Sequence, residues 1–401
     1  MSQSFELTSL LSRRQFTRGG IATALAAGVA PSFHQALAHG GGKKLGLTIV
    51  GLGGYASGCI APEVAACEHV TLAGVVTGSP DTKGKDWATQ HGFPEDAIYT
   101  YDTVEKIAED DRIDMVHIAL PNSMHAEYAI KCAKAGKHVM VEKPMAISSE
   151  ECEAMIAAAK EAGVLLGVNY RLHWEPHHVK AIELVSKGVI GDMACGNYEF
   201  SWGYSRGLVG PNKDKVKKWL LDPKMAGGGA LFDTGVYPIQ AACYLTGKEP
   251  VSVRGFASKV HPELFPDGVE ETMSFEMLFD DGFQALCRAS YSQSYHQCTT
   301  LGNGGFIEIR GGLGENGRSG SAFTQSNGTP NPKALFHNRR EIAAEQTLQQ
   351  AVLLDSFATA IKNGDKTFKT SGEMGLRDIR IAEKVYESAA KGGVGVEVSF
   401  R

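Results

Sequence analysis

The sequence predicts an α/β fold: a doubly wound parallel sheet in the N-terminal part, then an α+β region with a mostly antiparallel sheet. Three observations carry this. From Lys44 onward, short apolar runs alternate with segments whose apolar residues recur at helical spacing. A glycine-rich turn joins the first apolar run to the segment after it. Beyond Arg171 the rhythm changes to longer stretches that alternate residue by residue. At 401 residues the chain is too long for one ordinary core, so two domains are expected, 43–167 and 168–401.

The segment before Lys43 stands outside the fold. Ser12-Arg13-Arg14-Gln15-Phe16 precedes a weakly apolar stretch, 21–30, and Ala36-Leu37-Ala38 supplies small residues at a cleavage position. Twin arginines, an apolar segment and an A-x-A site in that order read as a twin-arginine signal peptide over 1–38. The apolar stretch is far shorter than the roughly 20 residues a membrane span needs. Export through the twin-arginine translocon to the periplasm is therefore expected, with no membrane attachment once the signal is cleaved. The segment carries three arginines and one glutamate, so its removal makes the chain more acidic than its formal −5. That charge, with no basic run interleaved by aromatics, excludes nucleic acid as a partner. The eight cysteines are scattered, without C-x-x-C or zinc-finger spacing, which argues against a disulfide framework or a zinc site.

Within the first domain, 45–50, 70–76, 113–120, 138–141 and 164–168 read as strands, and 124–135 and 150–162 as helices between them. Strand–helix–strand repetition gives a parallel sheet with right-handed crossovers and ligands at the strands' carboxyl ends. Further on, 176–187 reads as a helix. The stretches 196–202, 251–258, 272–279, 283–290 and 305–310 read as strands, with Asp280-Asp281-Gly282 as a hairpin turn. The stretch 311–332 is rich in Gly, Ser and Asn and reads as a loop; helices over 346–363 and 371–391 close the chain.

Function begins at Gly51-Leu52-Gly53-Gly54-Tyr55-Ala56. A buried strand enters this turn and a helical segment leaves it, the context that separates a dinucleotide loop from a plain glycine turn. Gly51 allows the tight turn, Gly53 lets backbone approach a pyrophosphate, and Ala56 keeps helix and strand close. Pro62 suits a first turn and kinks anything deeper. At the end of the second strand an acidic residue would bind an unphosphorylated ribose; this chain has Thr77-Gly78-Ser79, then Lys83 and Lys85. Hydroxyls and cations favour NADP, with NAD as the alternative.

Three further groups follow. Pro121-Asn122-Ser123-Met124-His125 leaves the third strand with Leu120 before it, and Glu142-Lys143-Pro144 leaves the fourth, placing Lys143 at a strand end. Downstream, Asp233 and Tyr237 are four apart, which on an α-helix shares a face. Oxidising a hydroxyl needs a proton acceptor on oxygen while hydride leaves carbon. Tyr237 is the candidate acid/base, Lys143 the cation that tunes it and holds a hydroxyl, and Asp233 the acceptor that orients the substrate. His173, Glu175, His177 and His178 cluster in sequence, but adjacent histidines leave a helix on different faces, so no metal is expected. His173 is placed in the substrate cleft.

The glycine loop, Glu142-Lys143-Pro144, Asn169-Tyr170-Arg171 with His173, Trp219, and the 233–237 segment together resemble the glucose-fructose oxidoreductase and inositol dehydrogenase (Gfo/Idh/MocA) family, its glucose-fructose oxidoreductases above all. The resemblance runs from Leu45 nearly to the C-terminus. It implies an N-terminal Rossmann domain and a C-terminal α+β domain with a large open sheet used in homodimers or homotetramers. It also implies a nicotinamide cofactor bound by the glycine loop, Thr77, Ser79, Lys83, residues 120–122, His125, Glu142, Lys143, Arg171 and Trp219. The implied substrate is a sugar, met by Lys143, Tyr170, His173, Asp233 and Tyr237. Two departures weigh against permanent cofactor retention: no long proline-rich arm precedes the first strand, and Leu220 follows Trp219 where the relative has arginine. Export without a cofactor pool outside favours a ping-pong oxidoreductase working between two sugars on bound NADP. Lys143 argues against an exported redox-neutral glycosidase using NAD, and Lys143 with Tyr237 against a non-catalytic sugar-binding protein. An ordinary dissociable dehydrogenase is the remaining alternative.

Overall fold

A computed structural model describes residues 43–400, apart from 211–212, 214–217, 293, 312–332 and 345–346. The signal-like segment 1–38 and most of the predicted loop 311–332 lie outside the described residues. Strands β1 (Leu45–Val50), β2 (Val70–Val76), β3 (Ile98–Tyr99), β4 (Met115–Ile118), β5 (His138–Val141) and β6 (Leu166–Val168) form one sheet. Their order is β3-β2-β1-β4-β5-β6 and every pair is parallel. This is the Rossmann order, with the topological switch between β1 and β4, where the crevice for a ligand opens. β3 has two residues, too short for a periodicity to register, so the sequence shows five strands where the sheet has six.

The helix predicted after the glycine turn is wound differently. A π-turn, Ala56–Ile60, leads into a short α-helix, Ala61–Val64, with Pro62 in its first turn. Proline has no N–H to give the carbonyl one turn back, and the wider winding ahead of it absorbs the missing bond. The same device recurs at the site: Leu231–Gly235 is a π-turn, followed by the helix Val236–Thr246 with Pro238 in its first turn. Asp233 and Tyr237 therefore lie in two consecutive elements of different winding, not on one regular α-helix.

The second sheet comprises β7 (Met193–Ser201), β8 (Pro250–Ser258), β9 (Thr272–Phe279), β10 (Gln284–Ser290), β11 (Tyr295–Gly302), β12 (Gly305–Gly311), β13 (Lys333–His337), β14 (Arg340–Ile342) and β15 (Val396–Glu397). Among the described residues it has nine strands, β14-β13-β12-β11-β7-β10-β9-β8-β15. All neighbours are antiparallel except β7 and β10. The turn at 280–282 closes the β9–β10 hairpin, with Phe279 N–H donating to the Phe283 carbonyl at 3.0 Å. β11 is absent from the sequence reading because its inward positions are His296, Cys298 and Thr300, so no apolar alternation marks it. One face of the sheet buries Phe200, Phe275, Met277 and Ala285 in the main core, with the helix Val236–Thr246 packed on β7, β10 and β11; the other leaves Phe256, Leu286 and Tyr295 exposed.

Of the two C-terminal helices, Gln349–Asn363 folds back onto the first sheet's layer, while Gly372–Ala390 packs chiefly on β8 and also reaches β6, bridging the two sheets. Glu63 Oε2 accepts from the Gln350 and Ala351 N–H groups, 2.7 and 3.1 Å, and caps the first of them. Asp355 in turn accepts from the Glu68 and His69 amides, both at 2.8 Å. These reciprocal hydrogen bonds tie the segment from the short helix to the start of β2 to the helix Gln349–Asn363. Glu63 is buried, so Glu63→Ala leaves two buried amides without their acceptor. The expected cost is about 2–3 kcal/mol, read as a lower urea midpoint with unchanged slope.

Candidate active site

A cleft of about 720 Å³ runs from the glycine turn, past the ends of β2, β4 and β5, to the end of β7 and the start of β11 in the middle of the second sheet. At its first end, Gly51 has φ +96°, and a Cβ there would lie 2.6 Å from Leu120 Cδ2 and 2.7 Å from the Ala119 carbonyl oxygen. Only glycine fits. Gly53 and Gly54 differ: both are exposed, neither has a left-handed backbone, and a Cβ on either meets no protein atom within 4 Å. Neither strain nor packing demands glycine there. Bare backbone beside open space is what a pyrophosphate requires, and the buried Ala56 starts the winding that leaves the turn. The residues present thus fit a dinucleotide. Tyr55 lines the cleft with its ring 5.8 Å from the Arg171 guanidinium carbon.

At the end of β2 the lining is Thr77, Gly78, Ser79, Lys83 and Tyr101. The Thr77 hydroxyl accepts from Ser79 N–H at 3.1 Å, fixing the turn. Lys83 is exposed beside it, whereas Lys85 turns to Asp81 at 3.4 Å and Glu95 at 3.8 Å. No carboxylate lines this end of the cleft among the described residues. Leu120, Pro121 and Asn122 form the next wall, and the Asn122 amide donates to the Ala226 carbonyl at 2.8 Å. His125 is not in the cleft. It is fully buried behind it, with its ring nitrogens 2.9 Å from the Pro144 carbonyl and 3.0 Å from that of Leu120. Burial lowers its pKa against the pull of those carbonyls, and the ring stitches the turn after β4 to the turn after β5.

The chemistry concentrates where the two sheets meet. Lys143, preceding a cis Lys143–Pro144 bond, donates from Nζ to the Asp233 carbonyl at 2.6 Å and to Asp233 Oδ1 at 3.0 Å. Trp202 Nε1 donates to the other carboxylate oxygen, Oδ2, at 2.9 Å. The same Lys143 Nζ lies 5.1 Å from the centre of the Tyr237 ring, which stacks on Phe200 at 5.3 Å. Glu142, beside Lys143, accepts from His117 Nε2 at 3.0 Å and from the Asn169 amide. Burial would raise its pKa, but those hydrogen bonds and the His117 and Lys143 charges hold it below the usual carboxylate value.

Burial dominates the Tyr237 phenol and raises its pKa well above 10. Arg171 pulls it down, while Glu142 and Asp233 push it further up. Arg171 is the cation that most opposes burial there, while Lys143 donates to Asp233. Arg171 is itself buried; desolvation works against its charge, and Tyr55, Cys59 and Tyr237 more than offset that.

Two expected substrate residues sit elsewhere. Tyr170 is buried beside Asp378, outside the cleft lining. His173 is buried with Nε2 2.7 Å from Gln240 Oε1, its pKa pushed down to about 3 by burial, and it borders a separate cavity with Tyr244 and Arg377. Glu175 caps the helix Pro176–Ser186 through the His178 N–H and meets His177 Nδ1 at 2.8 Å, so this cluster organises a helix start. Trp219 and Leu220 both line the cleft. Sequence reasoning missed Phe200, Trp202 and His296, which line the substrate-side wall from β7, the residue after it and β11. Asn169 belongs to the sequence motif, and its role as a donor to Glu142 shows only in the structure.

Residues 45–170 match the model of an oxidoreductase family with an NAD-binding Rossmann fold, and 178–315 match the GFO/IDH/MocA C-terminal domain. The aldose-aldose oxidoreductase of Caulobacter crescentus superposes with a TM-score of 0.78 at 34% identity, over 89% of this chain and 100% of that one. The D-xylose 1-dehydrogenase [NADP(+)] of Haloarcula marismortui is 28% identical over 347 residues, 85% of this chain and 90% of the relative. An inositol dehydrogenase homologue from Azotobacter vinelandii has a TM-score of 0.73 at 20% identity over 88% of this chain and 97% of that one, a likeness of fold. The chain belongs to the Gfo/Idh/MocA family. It is an NAD(P)-dependent oxidoreductase.

Removing the phenol hydroxyl tests the site. Tyr237→Phe is expected to lower turnover about 10²–10⁴-fold while leaving cofactor affinity unchanged, as a lost acid/base group requires. With its pKa raised, Tyr237 is a protonated acid at neutral pH. The oxidation rate, which needs the phenolate, should rise with pH above 7, and the reduction rate should stay flat there until the phenol ionises. Paired pH–rate profiles in the two directions check both signs.

Proposed function

We propose that this protein is an exported NADP-dependent sugar oxidoreductase that keeps its nucleotide bound and works by ping-pong between two sugars. The observation that carries the reading is Lys143 and Tyr237 facing each other at 5.1 Å inside a cleft whose other end fits a dinucleotide. Bound nicotinamide would supply the hydride acceptor and donor. Lys143 holds the reacting hydroxyl with the N–H it does not give to Asp233. Tyr237 takes the hydroxyl proton on its phenolate oxygen and returns it to the carbonyl oxygen in the reverse half-reaction. Asp233 keeps Lys143 in place, and accepts a neighbouring sugar hydroxyl.

For the ribose end, Thr77, Ser79 and Lys83 without a lining carboxylate support NADP over NAD, as does the NADP(+) named for the xylose dehydrogenase. The aldose-aldose name of the Caulobacter relative supports a sugar on both sides of the exchange. Export rests on the paired arginines, the apolar stretch and the 36–38 cleavage position, and leads to a periplasmic protein with residues 1–38 removed. The part from Lys43 to about 167 would hold the nucleotide, and the remainder the substrate and a homodimer or homotetramer interface, for which the exposed Phe256, Leu286 and Tyr295 face of the second sheet is the natural surface.

A second reading, a dehydrogenase that releases its nucleotide each turn, is favoured by the dehydrogenase name of the Haloarcula relative. Purification without added nucleotide separates the two. Stoichiometric NADP(H), reduced by one aldose and reoxidised by a second sugar with no free cofactor, is the expected result. A nucleotide-free protein that turns over only with added NADP would establish the dissociable enzyme.

A further inference from the structure

Trp202 has no part in the sequence motifs, yet it joins the acid end of the site to the substrate wall. It follows the last residue of β7 and lines the cleft. Its Nε1 donates to Asp233 Oδ2 at 2.9 Å while Lys143 holds Oδ1 at 3.0 Å, so the carboxylate is gripped from both sides by donors from different parts of the chain. The indole is set in its turn by Tyr204, at 5.1 Å between ring centres, and by the edge of Tyr291, at 6.0 Å. Both tyrosines are buried in a small separate core with Leu220, Ala226, Phe265 and Val269, against which Trp202 packs. An indole held this way has a fixed edge and a fixed face.

We propose that Trp202 is a positioning and sugar-contacting residue: its N–H fixes the Asp233 carboxylate, and its ring forms the platform against which the sugar's C–H face lies. This deepens the proposed function and rests on it. A pyranose carries hydroxyls around its rim and an apolar C–H face, and burying that face on an aromatic ring removes apolar area from water at little entropic cost, because the ring is already fixed. Rim hydroxyls then meet Asp233 and Lys143, the two polar groups beside the platform. A ligand without such a face gains nothing from the indole, so Trp202 selects cyclic sugars over open-chain polyols.

The chain has four tryptophans, of which Trp87 and Trp174 are buried outside the cleft lining and Trp202 and Trp219 line it. The test follows tryptophan emission of the nucleotide-loaded protein on titration with D-glucose or D-xylose, in wild type, Trp202→Phe and Trp219→Phe, beside steady-state rates. The sugar-dependent change should persist in Trp219→Phe and vanish in Trp202→Phe. Trp202→Phe should also raise the sugar KM about tenfold relative to sorbitol. The acid limb of its pH–rate profile should move upward, since Asp233 loses a donor that favours its charged form. A merely structural role would lower stability without moving that limb. If Trp202→Phe does not fold, loss of the response in Trp219→Phe alone overturns the proposal. So does a wild type that oxidises sugars with no change in emission, or a Trp202→Phe protein that keeps both response and pH profile. No sugar turnover in wild type would instead sink the sugar-oxidoreductase reading.

Discussion

The contact on which the site depends is the grip of Lys143 on Asp233, a lysine at the end of β5 and an aspartate in the π-turn before the helix Val236–Thr246. It joins the parallel sheet to the second sheet's layer at the point where chemistry must occur. Both side chains are largely withdrawn from water, 15% and 18% exposed. Removing either partner would leave a poorly solvated charge, which costs far more than an exposed pair would. The two hydrogen bonds, one to the main-chain carbonyl and one to the carboxylate, fix the ammonium in direction as well as in place. Everything nearby serves that geometry: His125 holds the Pro144 carbonyl, Glu142 is pinned by His117 and Asn169, and Trp202 takes the carboxylate's other oxygen.

The arrangement divides labour among the cations. Lys143 donates to Asp233, and the positive charge that most lowers the Tyr237 phenol is that of Arg171, itself buried and set among Tyr55, Cys59 and Tyr237. A phenol kept neutral by burial is a ready proton donor for carbonyl reduction. To serve as base it must be helped by charge, and a positively charged oxidised nicotinamide near it would add to Arg171. The site is thus biased by its electrostatics toward changing protonation state with the redox state of what it holds.

Much of this was legible in the sequence because the signals are local and tied to backbone demands. The glycine turn follows a buried strand, Glu142-Lys143-Pro144 ends one, and Asp233 with Tyr237 flanks a glycine; each sits where strand ends or helix starts converge. Tyr170 and His173 belong to the same short motif as Asn169 and Arg171, but a motif gives no side-chain direction. They turn inward to Asp378 and Gln240, away from the cleft. The shared helix face of Asp233 and Tyr237 assumed regular winding that Pro238 prevents. Trp202 and His296 were hidden for another reason: they reach the cleft through the pairing of β7 with β11, a long-range register in which His296 lies opposite Phe200, and no local pattern encodes it.

The most direct test of the account is a double-mutant cycle on the Lys143–Asp233 contact, using Lys143→Met, Asp233→Asn and the double variant, with kcat/KM for sugar oxidation as the readout. If the ammonium acts through its grip on the carboxylate, the single losses are strongly non-additive, with a coupling of about 2 kcal/mol and a double variant little worse than the worse single one. Additive losses would show the two residues acting independently and would contradict the account.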